Sequence, residues 1–312
     1  MPAHTQVSNQ TRWLSYASLV FVMLFWSGNF VVGRAVQGAI PPFTLALVRW
    51  SGAVLLVLPF AWPKLRADWQ ILRQHWRIIL LLGVAGVGGF NGFVYSGLHF
   101  TTASNGLLLQ AATPALVLLF NLLFFRLRSP VLQIAGVLLS MLGVVLIVLR
   151  GHLAAILTLH FNLGDLLILC GVTCWAAYTS LLRIRPPCHP LSFLVATFVI
   201  GAVTMAPFAL WEHAQGLRVQ FSAGTLCAFA YVAVFPSLIA YLLYNAAVRD
   251  LGAGPAGQTI TLMPLFGAFL ASALLDERLQ SFHLIGMAII LGGIILGAAA
   301  SKRTSANDGA DT

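Results

Sequence analysis

Long apolar runs alternate with short polar breaks along nearly the whole chain. A helix needs about 20 apolar residues to cross ~30 Å of hydrocarbon. Ten stretches reach that length: roughly 14–33, 43–62, 78–98, 103–124, 131–149, 164–182, 191–211, 223–245, 254–275 and 281–300. They predict an all-α membrane protein with ten transmembrane helices. The loops are short, so neighbours in sequence are expected to pack as antiparallel neighbours in space. No loop is long enough to hold a soluble domain. Residues 1–13 read as a polar N-terminal segment and 301–312 as a polar tail, expected to be disordered. No small-residue cleavage site follows the first apolar run, which therefore reads as a retained helix and not as a signal peptide.

The layout recurs at a fixed spacing, a feature that decides a fold when it is present. At an offset of 150, Ala103 matches Ala253, Pro114 matches Pro264, Arg128 matches Arg278, Gly136 matches Gly286 and Gly143 matches Gly293. Trp26 and Arg34 correspond to Trp175 and Arg183 at 149, and Pro42 and Pro59 to Pro190 and Pro207 at 148. Residues 14–150 and 164–300 are thus two copies of one five-helix unit. Five is odd, so the second copy enters the membrane from the other side and the two form an inverted pair. Inverted halves can exchange shapes to give inward-open and outward-open states, with a substrate site between them near the midplane.

Composition places the chain in a membrane. Apolar residues make up 59% and charged residues 8%, against roughly 25% charged in a soluble domain. The net charge of +9 follows from the loops. With the N-terminus in the cytoplasm, that side holds Arg12, Lys64, Arg66, Arg73, Arg77, Arg126, Arg128, Arg183, Arg185, Arg249, Lys302 and Arg303, while the opposite side holds Arg34, Arg150, Arg218 and Arg278. This bias sets both termini inside. It also explains the basic balance through anionic lipid and without nucleic acid. Cys170, Cys174, Cys188 and Cys227 lack the spacing of a metal site and read as small apolar residues.

The sequences LFWSGNFVVGR, PPFTLALVRWSGAVLLVLP, GFVYSGLHFTTASNGLLLQAATPALVLL and GDLLILCGVTCWAAYTSLLR resemble the drug/metabolite transporter superfamily, and within it the ten-helix EamA type with two EamA domains. The resemblance covers about residues 14–300. One departure stands out. Asp276-Glu277 fits the Gly-Glu position that the family often carries after the fourth helix of a half, but Arg126-Leu127 occupies it in the first half. The resemblance implies a secondary transporter, an exporter of amino acids and other small metabolites that hydrolyses no nucleotide. A channel-like permease or a multidrug exporter of the same superfamily is the alternative.

Polar and aromatic side chains inside apolar runs are the candidates for contact with a substrate, because an unpaired polar group in hydrocarbon is costly. They are Trp26, Asn29 and Phe30 in the first helix, Asn91 and Tyr95 in the third, Gln110 in the fourth, Trp175 and Tyr178 in the sixth, Tyr241 and Tyr244 in the eighth, and Gln258 in the ninth. Each alone fits helix–helix packing equally well; together they supply the aromatic walls and few amides of an amphipathic cavity. Pro114 and Pro264 free carbonyls at Gln110 and Ile260, so each marks either a hinge or a static kink. Arg49 is the one charge well inside a helix. It either meets a substrate carboxylate, or snorkels, or pairs with a loop carbonyl, Asp165 or Glu277.

No acidic residue occupies the middle third of a helix. This argues against a proton-coupled exporter of drug cations and for neutral, zwitterionic or anionic metabolites. His99, His160 and His283 lie near helix ends and leave proton coupling open. No phosphate-binding GxxxxGK[ST] loop is present, and no Ser/His/Asp constellation points to an enzyme. The partners expected are the bilayer and a small-molecule substrate, with no cofactor and no metal. Ten helices enclose enough volume for a monomer to work, and larger assemblies stay open.

Overall fold

The structure, a computed structural model, describes residues 9–36, 38–98, 100–101, 106, 109–152, 162–275 and 280–307. His99, Ala103, His160, Asp276, Glu277 and Arg278 lie outside that set, as do the side chains of Phe30, Arg34, Tyr95, Lys302 and Arg303. Every regular element described is helical. The first half contains α1 (Asn9–Ala35), α2 (Pro42–Gln74), α3 (Trp76–Gly83), a π-helical turn (Val84–Gly89), α4 (Phe90–Leu98), α5 (Thr113–Phe125) and α6 (Val131–Val148). The second contains α7 (Leu163–Leu181), a 3-10 turn (Leu182–Ile184), α8 (Pro190–Ala214), α9 (Ala223–Ala233), a second π-helical turn (Val234–Ile239), α10 (Ala240–Leu251), α11 (Ala253–Gln258), a 3-10 turn (Thr259–Leu262), α12 (Met263–Leu275) and α13 (Ser281–Asn307).

Eight of these helical stretches are long and apolar enough to cross a membrane, and Thr113–Phe125 is a shorter apolar helix. Large apolar side chains such as Leu55, Phe60, Val131, Val203 and Ile295 stand exposed on the outer surface, where water would not tolerate so extensive an apolar face. The stretches 103–124 and 254–275 are not continuous helices. A turn at Ala111–Ala112 precedes α5, and the 3-10 turn Thr259–Leu262 precedes α12. Pro114 and Pro264 sit in the first turn after each break. Neither can donate a backbone hydrogen bond, and each ring would strike the carbonyl four residues earlier. What the sequence predicts as a kink is therefore a full interruption. In the second break Thr259 and Thr261 donate their hydroxyls to the carbonyls of Ala256 (2.7 Å) and Gln258 (2.8 Å). At the other end of the chain α13 runs to Asn307, past the expected start of a disordered tail. The stretch 301–307 holds no Pro or Gly.

Neighbours in sequence are not the principal packing partners, contrary to the expectation from short loops. The extensive contacts cross between the halves: α6 on α13, α2 on α8, α4 on α7, α1 on α10, α5 on α7, α1 on α12, α3 on α8 and α9 on α2. Exchanging each helix for its counterpart 150 residues away maps this set onto itself. Small residues set the pairing, because they let backbones approach closely. A methyl group on Gly136 would meet the Gly293 carbonyl oxygen at 2.6 Å, and one on Gly143 the Gly286 oxygen at 2.7 Å. The two helices therefore cross antiparallel, with backbone against backbone.

Candidate functional site

Both π-helical turns shift the hydrogen-bond register of a span near its middle, a device that often accompanies a functional site. Pro236 lies in one and Gly86 in the other, 150 residues apart. Each carbonyl accepts a side-chain donor from elsewhere. The indole Nε1 of Trp26 donates to the Pro236 oxygen at 3.0 Å, and the Tyr241 hydroxyl to the Gly86 oxygen at 2.7 Å. Gly86 has no alternative at its position, since a Cβ there would overlap the ring of Tyr178.

Five predicted aromatics meet between these turns. Trp26 from α1 stands edge-on to Trp175 from α7, with ring centroids 5.0 Å apart and planes at 87°. Tyr244 from α10 lies 5.2 Å from Trp26 and 5.4 Å from Trp175. Tyr178 packs 5.2 Å from Trp175, and Tyr241 5.7 Å from it. Such pairs contribute about 0.5–1.5 kcal/mol each beyond their buried area. Trp50 and Phe198 extend the cluster through Tyr241, at 5.4 Å each, and Phe90 extends it through Trp175. These last three were not among the sequence candidates, because a lone aromatic in an apolar run looks like ordinary core. All five predicted rings are buried, with Tyr178 and Tyr244 fully so. The hydroxyl of Tyr178 donates to Asn245 Oδ1 at 2.8 Å, and that of Tyr244 pairs with Thr179 Oγ1 at 3.0 Å.

The two helix breaks face each other across a small cleft. Gln110 and Ala111 line it from the first break, Ile260, Thr261, Met263 and Pro264 from the second, and Val144 from α6. Gln110 is buried at this cleft and Asn29 is half-buried on α1. Gln258 and Asn91 have other work. The Gln258 amide donates to the Gly293 carbonyl (2.8 Å) and to Ser140 Oγ (3.2 Å), which ties α11 to α13 and α6. Asn91 donates to the Val87 carbonyl of its own π turn at 2.7 Å.

Arg49 is buried and does not pair with Asp165. Its Nε donates to Ser237 Oγ at 2.6 Å and its Nη2 to the Pro236 carbonyl at 3.1 Å. The guanidinium lies 4.4 Å over the Trp50 ring. Asp165 instead forms a capping box with Asn162 at the start of α7 and accepts the Thr101 hydroxyl at 2.5 Å. Glu277 lies outside the described residues. Glu212 has a role that sequence reading missed: it is buried and accepts the N–H groups of Phe43 (2.8 Å) and Thr44 (2.7 Å) and the Thr44 hydroxyl (2.8 Å). Its carboxylate caps α2, where the helix dipole favours negative charge. Only a hydrogen-bond partner far along the chain reveals that function.

The spans and their exposed apolar surface define a multi-pass helical membrane protein. The EamA-like transporter family matches the chain twice, at residues 13–149 and 162–298, and the protein belongs to that family of membrane transporters. It is 26% identical over 283 residues to the uncharacterized transporter YyaM of Bacillus subtilis, covering 90% of this chain and 92% of that one. It is 29% identical over 279 residues to an uncharacterized transporter of Archaeoglobus fulgidus, covering 89% and 95%. An uncharacterized inner membrane transporter, YedA of Escherichia coli, is 26% identical over 293 residues, covering 90% of this chain and 89% of its own. A solved crystal structure shares the fold with a TM-score of 0.73 at 19% identity, covering 93% of this chain and 98% of the other.

Proposed function

We propose that the protein is a secondary transporter that exports small metabolites, amino acids or related zwitterionic and neutral compounds, by alternating access between two inverted five-helix repeats. In this reading the eight continuous spans are joined by two discontinuous ones, each broken just before Pro114 or Pro264. The crossing of α6 and α13 carries the argument. Gly136 and Gly143 of one copy match Gly286 and Gly293 of the other, yet Gly136 touches Gly293 and Gly143 touches Gly286. Matching helices that run antiparallel belong to halves of opposite orientation. Discontinuous helices at corresponding places in two such halves mark a substrate site in transporters.

Trp26, Trp175, Tyr178, Tyr241 and Tyr244 would form the aromatic wall, with Gln110 and Thr261 at the breaks as polar contacts. Phe30 and Tyr95 keep their place as candidates from the sequence, while Gln258 and Asn91 serve by holding helices. The rings are closed on one another in this conformation, so passage requires α1, α7 and α10 to separate. Pro114 and Pro264 are the gating positions. The Lys and Arg bias supports both termini in the cytoplasm of a bacterial-type plasma membrane, and ten helices enclose enough volume for one chain to work, with larger assemblies open.

Counterflow in proteoliposomes tests this. Vesicles loaded with unlabelled amino acids should show a transient, saturable overshoot of the labelled counterpart with no ion gradient, and Trp26→Ala should abolish it. Flux that rises linearly with concentration and ignores the internal load would establish a channel instead.

A further inference from the structure

A second cleft opens at the end of α10 that the Lys and Arg bias places in the cytoplasm. Arg185, Pro190, Phe193, Leu194, Leu242, Asn245, Ala246 and Arg249 line it. Three features converge there. First, two guanidinium groups share the cleft. Burial, and then the neighbouring Arg249 charge, hold Arg185 below the ordinary guanidinium range. Arg249 is paired with Asp250 at 2.7 Å, the one ion pair among the described residues, and Asp250 also accepts the Ser15 hydroxyl at 3.0 Å. Asp68 is taken up by the His189 N–H at 2.9 Å. Arg185 has no carboxylate within ion-pair reach among the described residues. Second, Asn245 is 5% exposed and its Nδ2 has no hydrogen-bond partner. A buried donor left unpaired costs about 1–3 kcal/mol, which a ligand acceptor would recover. Third, the N-terminus of the 25-residue helix α8 borders the cleft; its dipole favours an anion, though Pro190 has no N–H and His189 Nδ1 already accepts the Leu191 N–H at 3.2 Å.

We infer that this cleft binds the carboxylate of a small organic acid with an apolar body, on Arg185 and Asn245 Nδ2, as the cytoplasmic waiting position of the transported solute. The inference rests on the transporter reading and extends its solutes from zwitterionic and neutral compounds to carboxylate anions. Phe193, Leu194 and Leu242 supply an apolar wall beside the cationic end. Asn245 also links the cleft to the aromatic cluster, since its Oδ1 accepts the Tyr178 hydroxyl. One amide thus faces both compartments of the pathway. At the corresponding positions of the other half, 149 or 150 residues before Arg185, Asn245 and Arg249, stand Val36, Tyr95 and His99.

The test is equilibrium binding of radiolabelled benzoate to the full chain in phosphatidylcholine nanodiscs, with benzamide as the neutral competitor. Saturable benzoate binding that benzamide does not displace is expected. Arg185→Gln should weaken it about tenfold or more, the scale of one charge-assisted hydrogen bond, and Arg185→Lys should restore part of it. Asn245→Asp, which keeps the acceptor for Tyr178 but puts a carboxylate in the cleft, should abolish binding. Equal binding of benzamide, or full binding by Arg185→Gln, overturns the inference. Loss of benzoate binding in phosphatidylglycerol nanodiscs would assign the cleft to a lipid headgroup and overturn it as well. Binding that follows this pattern without any counterflow would leave the anion site standing and remove the transporter reading. Counterflow of neutral solutes, together with benzoate binding that Arg185→Gln does not alter, would do the reverse.

Discussion

Arg49 shows how a residue readable in sequence acquires its meaning elsewhere. A charge inside an apolar helix signals a special position, but the partners are Ser237 and the Pro236 carbonyl, 188 and 187 residues away. Arg49→Gln removes two charge-assisted hydrogen bonds and leaves Trp26 alone on the Pro236 oxygen. It should destabilise the protein by about 1.5–3 kcal/mol for each such bond fully lost, measured by unfolding in detergent. Arg49→Lys should not rescue it, since an ammonium lacks the planar fork that reaches both acceptors over Trp50. Cys188 tests a local field outside the spans. Burial and then the Asp68 carboxylate push its thiol above the ordinary range. A raised pKa means less thiolate at neutral pH, so maleimide should react slowly at pH 7 and faster as pH rises through and beyond the usual thiol range. Asp68→Asn should speed the reaction at a given pH.

At the scale of elements, the prolines were visible and the breaks were not. Proline forbids one backbone bond and crowds one carbonyl, which a bent helix can absorb. In the second break the hydroxyls of Thr259 and Thr261 stabilise the 3-10 turn as well. Pro264→Ala returns the N–H and lets the turn tighten toward α-helix. Thermal stability should hold or rise slightly while counterflow falls, if the interruption serves gating. Wild-type flux with Pro264→Ala would make the break a static feature. The π turns gave no sequence signal, because Val84–Gly89 reads as an ordinary small-residue stretch. Their counterpart positions 150 residues apart became legible only from the backbone.

At the scale of the whole molecule, the repeat predicts that equivalent substitutions have equivalent effects. Gly143→Leu and its equivalent Gly293→Leu each drive a side chain against the other helix's backbone, at the Gly286 carbonyl (2.7 Å) and the Gly136 carbonyl (2.5 Å). Each should cost about 1–3 kcal/mol or more as overpacking, with similar losses of melting temperature in detergent. A large effect from one and none from the other would count against a two-fold arrangement. Hydrophobic periodicity, the Lys and Arg bias and the spacing of Pro and Gly carried the spans, the repeat and five members of the aromatic cluster, since all of these depend on local composition and helical phase. They could not show that the halves pack mainly on each other, that Glu212 caps α2, that Gln258 bolts three helices together, or that the unpaired Asn245 amide lines one cleft with Arg185 and Arg249. Those depend on which backbones come close enough to touch, and that is decided when glycine-lined helices from opposite halves meet.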